Sequence, residues 1–355
     1  MNSSVRTRAA GGRTRRSRLR FAAALAAGAL ALSGCAGSAT PEASGPGGES
    51  LEKMVFLSYL SLDTLSLAPE MLAVAGGYFE KHGLDVQLQP VNGSPVAMQG
   101  VLGGIAPITR IGGIDVLTAA SKGQDLINVG TVERGGGFRV VSADSDPLES
   151  MEDYLGKTIG VGSEGGTSTK TLTLALDNAG IDPADVERQV VGLTPATFAL
   201  VQQGQLGGYM LGIDTAEMVA EQNPDAVVSG EGLTAAPDIQ VYVSTPDAIE
   251  KNGDQIRKYL AAIKEAIEFI VADESMDETL EIIRSEYSFA SLDDDAVAKR
   301  ALDAYRKVWV GDGTFPFLET DVDRWEEGYR VLVDAGMSDP GGSPLDWYTN
   351  DLLPE

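Results

Sequence analysis

From residue 51 onward the apolar and polar positions switch repeatedly between two periods. Residues 54–60 are nearly continuously apolar and predict a buried strand. Residues 69–81 repeat apolar positions at helical spacing, with Pro69 in the first turn and Gly83 just past the end, and predict a helix. Residues 84–89 alternate strictly, as Leu-Asp-Val-Gln-Leu-Gln, and predict a second strand. Strand, helix and strand in this order imply a right-handed parallel unit.

A phrase then recurs about a hundred residues later. Ser94-Pro95 opens a short helix ending in Gly100-Val-Leu-Gly103-Gly104, and Thr194-Pro195 opens another ending in Gly204-Gln-Leu-Gly207-Gly208. An apolar strand follows each, at 105–111 and 209–213, so the pattern predicts two α/β lobes built on one plan. The second lobe is expected to open with a strand at 155–161, to continue through a helix at 169–179 and a strand at 186–191, and to end near 240–244. Beyond Thr245-Pro246 the pattern becomes amphipathic helix at 246–272, 276–287, 293–309 and 320–335, which predicts a helical region covering the first lobe. The expected division is 51–140 with 245–355 for lobe one and 141–244 for lobe two, with crossovers near 139–142 and 242–244.

The first fifty residues follow other rules. Seven arginines without an acid precede an apolar run at 21–32, too short for a permanent span, which reads as a signal peptide. The run ends in Leu32-Ser33-Gly34-Cys35, the small-residue-then-cysteine arrangement that lipoprotein processing requires. The expectation is a leader at 1–34, lipid attachment at Cys35, and a Gly/Ser/Pro-rich flexible tether at 35–50. Arg15-Arg16 also resembles a twin-arginine export signal. The expected location is the extracytoplasmic face of the cell membrane.

Charge and composition narrow the chemistry. The chain has 27 Lys and Arg against 52 Asp and Glu, net −25, and removal of the seven leader arginines leaves 20 basic side chains and a net charge of about −32. Such a body repels nucleic acid and anionic headgroups. With the only cysteine committed to lipid, disulfides, thiolate metal sites and cysteine nucleophiles are excluded from the body, and a single histidine excludes a His-pair zinc site. That histidine, His82, falls at the C-terminal end of a predicted helix, where a cation complements the dipole.

Gly160-Val-Gly162-Ser-Glu-Gly165 matches the dinucleotide fingerprint G-x-G-x-x-G between a strand and a helix. No acidic residue closes the following strand, and an exported protein meets little nicotinamide, so no cofactor is implied. The same segment suits a ligand cradle: Ser163, Gly165, Thr167 and Ser168 surround a helix start, whose free N–H groups and dipole favour an anionic or strongly polar group. Thr167 and Ser168 are candidates to cap that helix and to touch a ligand, two roles that are not exclusive. Thr167-x-x-Lys170 distantly resembles the S-x-x-K of serine acyl-enzymes, with threonine where serine is needed. Loops after strands are where open α/β sheets bind ligands. They add Tyr59 as a stacking face, Asp63, Gly93, Ser94, Arg110 as a fixed charge, and Asp214 as an acceptor.

Several stretches resemble the exported binding proteins for the thiamine pyrimidine precursor, nitrate, sulfonates and taurine that feed ABC transporters. They are residues 67–69 and 75–86, which include Ala-Gly-Gly-Tyr-Phe-Glu-Lys-His-Gly-Leu-Asp-Val; Ala120-Ser-Lys-Gly123; Leu155-Gly-Lys-Thr-Ile-Gly-Val161; and residues 176–186. The resemblance covers residues 53–245 well and the helical remainder loosely. It implies a type II periplasmic-binding-protein fold with a ligand cleft between two lobes. It also implies a small-molecule solute, an ABC permease with its ATPase as partners, a monomer, and no catalysis. An extracellular enzyme of the same fold, acting on a pyrimidine or amine, and a sensing protein without transport remain the alternatives. Arg110 and the helix start at 163–168 favour an anion such as a sulfonate; Tyr59 with Asp63 or Asp214 favours an aromatic amine such as a hydroxymethylpyrimidine.

Overall fold

The computed structural model describes residues 50–230, 233 and 240–354. The chain begins with β1 (Glu52–Ser58), α1 (Ala68–Ala75), α2 (Tyr78–Lys81), β2 (Leu84–Pro90), α3 (Gly93–Leu102), β3 (Ile108–Ile111), α4 (Gly113–Ala120) and β4 (Ile127–Glu133). It then crosses to β5 (Phe138–Ala143), β6 (Thr158–Val161), α5 (Thr167–Asn178), β7 (Glu187–Val190), α6 (Phe198–Gln202), β8 (Gly208–Gly212), α7 (Ile213–Gln222) and β9 (Ala226–Ser229). It returns as β10 (Gln240–Ser244) and ends in α8 (Pro246–Ala272), α9 (Asp277–Arg284), α10 (Ala290–Asp293), α11 (Asp295–Val310) and α12 (Val322–Asp334). Among the described residues no helix is long and apolar enough to cross a membrane.

Two five-stranded sheets share one plan. The first has the order β2-β1-β3-β10-β4 and the second β7-β6-β8-β5-β9. In each, three parallel strands are followed by an antiparallel strand that the chain inserts from its other crossing. The repeated glycine phrase marks equivalent places, because residues 101–110 and 201–210 have the same succession of helix end, turn and strand.

Three expectations need correction. The helix expected at 69–81 is two helices, because Gly77 takes the left-handed conformation (φ 73°) and turns the chain between α1 and α2. The second sheet opens with β5, not with the strand at 155–161, and residues 139–142 lie inside β5 and not in a crossover. Residues 240–244 belong to the first sheet, where β10 pairs with β3 and β4. All five of its side chains are buried, since the strand is central and covered on both faces. The chain therefore passes from the first sheet to the second between β4 and β5 and returns between β9 and β10.

The helical third covers the first sheet through α8, whose Ile256, Tyr259, Leu260, Ile263, Ile267 and Ile270 recur at three- and four-residue steps and are buried. Tyr259 stacks between Phe56 and Phe79, with ring centroids at 5.3 and 5.1 Å. His82 closes α2 and faces Glu265 of α8 at 3.0 Å. The coverage is not confined to lobe one. α11 packs along α7 of the second lobe, and Arg300 joins Glu217 and Glu221 across that contact.

Candidate functional site

A cleft of about 1010 Å³ separates the loops that follow the parallel strands of both sheets. From lobe one it is lined by Tyr59, Leu60, Ser61, Asp63, Thr64 and Ser66 after β1, and by Asn92, Gly93 and Ser94 after β2. From lobe two come Gly162, Ser163, Glu164, Thr167 and Ser168 after β6, Val190 to Thr194 at and after the end of β7, and Gly212 at the end of β8 with Thr215 beyond it. Phe138 and Gln240, one beside each crossing, and Tyr305 of α11 complete the wall. The only ionisable acids or bases among these residues, tyrosines apart, are Asp63 and Glu164. No group of three metal-ligating side chains occurs among the described residues.

Seven of the ten expected residues thus line the cleft: Tyr59, Asp63, Gly93, Ser94, Ser163, Thr167 and Ser168. Gly165 does not; with φ 68° it shapes the turn before α5. Ser168 and Thr167 do not cap α5, whose N-cap is Gly166. Ser168 instead accepts the Gly162 N–H at 3.1 Å, tying the loop to the helix.

Arg110 lies outside the cleft, fully buried behind it. Its Nη1 donates to both Glu70 oxygens at 3.1 Å and to the Ser66 carbonyl at 2.8 Å. Its Nη2 donates to Glu133 at 2.7 Å and to the Ser66 hydroxyl at 3.0 Å, while the Tyr242 hydroxyl donates to Glu70 at 2.7 Å. Burial opposes the charge on Arg110, yet Glu70 and Glu133 outweigh it and hold the guanidinium above its ordinary pKa. Burial also pushes the Glu133 carboxyl up, and Arg110 offsets this only in part. A buried guanidinium paired with two carboxylates and absent from the cleft lining has no free charge to offer a ligand, so the expectation that Arg110 binds one is withdrawn.

Asp214 is likewise not exposed to the cleft. Its Oδ1 accepts from the Thr64 and Tyr305 hydroxyls at 2.9 and 3.0 Å, and its Oδ2 from the Leu65 N–H and the Ser291 hydroxyl at 3.0 and 2.7 Å. With four donors from outside its own lobe, this carboxylate fastens lobe two to the rest of the molecule.

A second carboxylate does the reverse. Asp115, in the first turn of α4 on lobe one, accepts the Thr167 hydroxyl at 2.5 Å and the Lys170 ammonium at 2.6 Å, both from α5 of lobe two. Thr167 in turn stands 2.8 Å from Ser94; having given its proton to Asp115, it accepts from Ser94. Close approach is needed here: a Cβ on Gly112 would fall 2.5 Å from a Thr167 methyl, and one on Gly93, itself at φ 78°, 2.7 Å from the Ser163 hydroxyl. The Asp115 carboxylate therefore meets the first turn of α5 through two side chains, Thr167 and Lys170.

The contributions of Asp115, Lys170, Phe138, Leu193, Gln240 and Tyr305 were not anticipated. Asp115 had a detectable signal, since Gly113-Ile-Asp115 and Gly212-Ile-Asp214 repeat after β3 and β8. Tyr305 and Gln240 had none, because only the tertiary path brings α11 and β10 to the cleft.

A sequence model of the family described as "NMT1/THI5 like" matches residues 65–275. A protein of Brucella abortus named as a binding protein is 27% identical over 293 residues, covering 79% of this chain and 86% of its own. The riboflavin-binding protein RibY of Chloroflexus aurantiacus is 23% identical over 328 residues, covering 87% and 88%. Among solved structures, the alkanesulfonate-binding protein SsuA of Xanthomonas axonopodis pv. citri, bound to MOPS, superposes with a TM-score of 0.64 at 14% identity, covering 85% of this chain and 97% of its own. The fold is that of the periplasmic binding proteins.

Proposed function

The chain belongs to the NMT1/THI5-like family, and from that premise we propose that it is an extracytoplasmic solute-binding protein delivering a small solute to an ABC importer. The observation that carries this reading is the cleft of about 1010 Å³ between the two sheets, walled by the loops after the parallel strands of both. Clefts of this size bury drug-sized ligands and sit where open α/β sheets bind them. The names of the relatives, one for riboflavin and one for alkanesulfonate, support a solute role and differ on the solute.

In this reading the protein selects and hands over its solute without transforming it. Its lobes dock as a monomer on a permease served by a cytoplasmic ATPase. Cys35, which lies outside the described residues, carries the lipid that holds the body at the membrane; incorporation of labelled fatty acid that disappears in Cys35→Ala tests that part. Solute binding is tested by thermal shift of the full chain against riboflavin, 4-amino-5-hydroxymethyl-2-methylpyrimidine, ethanesulfonate and nitrate. A ligand at a hundredfold excess over its Kd stabilises the native state by about 2.7 kcal/mol, and at least one probe is expected to do so. Absence of a shift with all four, or turnover of any of them, contradicts the proposal.

A further inference from the structure

The lobes are tied across the cleft by two carboxylates that the shared plan places at equivalent positions. Asp115 lies in the first turn of α4 after β3, and Asp214 in the first turn of α7 after β8. Each accepts from a threonine beyond the central parallel strand of the other lobe: Asp115 from Thr167, beyond β6, at 2.5 Å, and Asp214 from Thr64, beyond β1, at 2.9 Å.

The two ties differ in their surroundings. Asp214 is fully buried and takes four donors, from Thr64, Leu65, Ser291 and Tyr305. Beside it α11 packs along α7, with Arg300 joined to Glu217 and Glu221. Asp115 takes two side-chain donors from lobe two, Thr167 and Lys170, and the Lys170 side chain is 18% exposed, so water already reaches the pair. Apolar packing does not reverse the order. Leu174 of α5 joins the buried cluster around α4, and Ile213 of α7 joins the one around α8 and α11, one side chain at each edge. Parting the Asp214 edge therefore gives up more hydrogen bonds, whereas parting the Asp115 edge returns an already wetted ion pair to water.

Position adds to the difference. α11 extends to the crossing between β4 and β5, where its Val308 carbonyl accepts the Arg134 N–H at 3.1 Å. The Asp115 tie instead includes Ser94, beyond β2, at 2.8 Å from Thr167. β2 and β4 are opposite edges of the first sheet. A hinge rotation about the crossing moves the β2 side furthest and the α11 side least.

We propose that the cleft opens on one side only. The α4–α5 edge, latched by Asp115 on Thr167 and Lys170, is the gate, and the α7–α11 edge around Asp214 is the pivot. The unliganded chain rests with the gate shut. Passage of the solute between α4 and α5 rests on the solute-binding reading; the one-sided opening does not.

The test is pulsed electron-spin distance measurement on the unliganded full chain, with its only native cysteine removed as Cys35→Ala. One label pair spans the gate, Lys122→Cys just beyond α4 and Asp177→Cys in α5; the other spans the pivot, Gln222→Cys in α7 and Ala296→Cys in α11. All four positions are exposed. With Asp115 and Lys170 intact, each pair is expected to give one short distance. Asp115→Ala and Lys170→Met are each expected to add a population at longer distance across the gate and none across the pivot. Circular dichroism and urea midpoints establish that each labelled variant is folded. Lengthening across both edges, or across the pivot alone, overturns the one-sided opening. Folded variants that both keep the short gate distance overturn the latch, as does a gate already open with the latch intact. No solute enters this measurement, so its failure leaves the solute-binding reading standing, and a thermal-shift screen without a hit leaves the gate standing.

Discussion

Asp115→Ala is the sharpest perturbation of the clasp between the lobes. The Asp115 side chain is 1% exposed and Lys170 18%, and they meet at 2.6 Å with Thr167 completing the carboxylate at 2.5 Å. Removing one member of a fully buried pair costs about 3–5 kcal/mol, because the other charge is left desolvated. Lys170 keeps part of its hydration, so the cost here is about 2 kcal/mol. All of it falls on the clasped arrangement, since Lys170 is fully hydrated when the lobes part. The ratio of clasped to parted molecules then drops about thirtyfold, at 1.4 kcal/mol per tenfold. Small-angle X-ray scattering of the unliganded full chain reads this as a larger radius of gyration. A double-mutant cycle with Lys170→Met, followed by urea denaturation, should return a coupling energy of about 2 kcal/mol. Unchanged scattering, together with additive effects of the two substitutions, would refute the clasp.

Arg110→Met leaves Glu70 and Glu133 buried without their counter-ion and is expected to destabilise the protein by about 3–5 kcal/mol, read as a lower urea midpoint. A variant that kept its stability and lost only solute binding would return Arg110 to the ligand. Glu265 is held below its ordinary carboxylate pKa by the hydrogen bond from Lys81 at 2.5 Å, which with His82 outweighs its partial burial. A carboxylate depressed in the folded state stabilises above its unfolded value, near 4.5, and that contribution is lost as pH falls through the folded value. Urea midpoints at about pH 6 and about pH 3 should therefore differ less in Glu265→Gln than in the unaltered chain; an equal acid loss would show that the tie between α2 and α8 is unimportant.

Much of the fold is written in local pattern. β1 and β2 follow from the apolar run and the alternation, the long C-terminal helices from their three- and four-residue steps, and the common plan of the two sheets from the Gly-rich phrase that precedes β3 and β8. β10 was legible as a strand but not as a member of the first sheet. A continuous apolar run states that a strand is buried on both faces, not which neighbours bury it. The site divides in the same way. Loops after strands located most of the lining, because that placement follows from sheet topology. Arg110 and Asp214 misled because a charged residue at a strand end reads alike whether it meets a solute or an internal partner. Glu70 and Glu133, the partners of Arg110, stand 40 and 23 residues away, and Tyr305, a partner of Asp214, stands 91 away. Such pairings have no local signal.

The most direct test of the solute-binding account is a crystal structure of the full chain with the probe that gives the largest thermal shift. The account predicts one solute between the lobes, against the loops that follow β1 and β2 on one side and β6 and β7 on the other. A probe bound outside this cleft, or held through Arg110 released from Glu70 and Glu133, would contradict it.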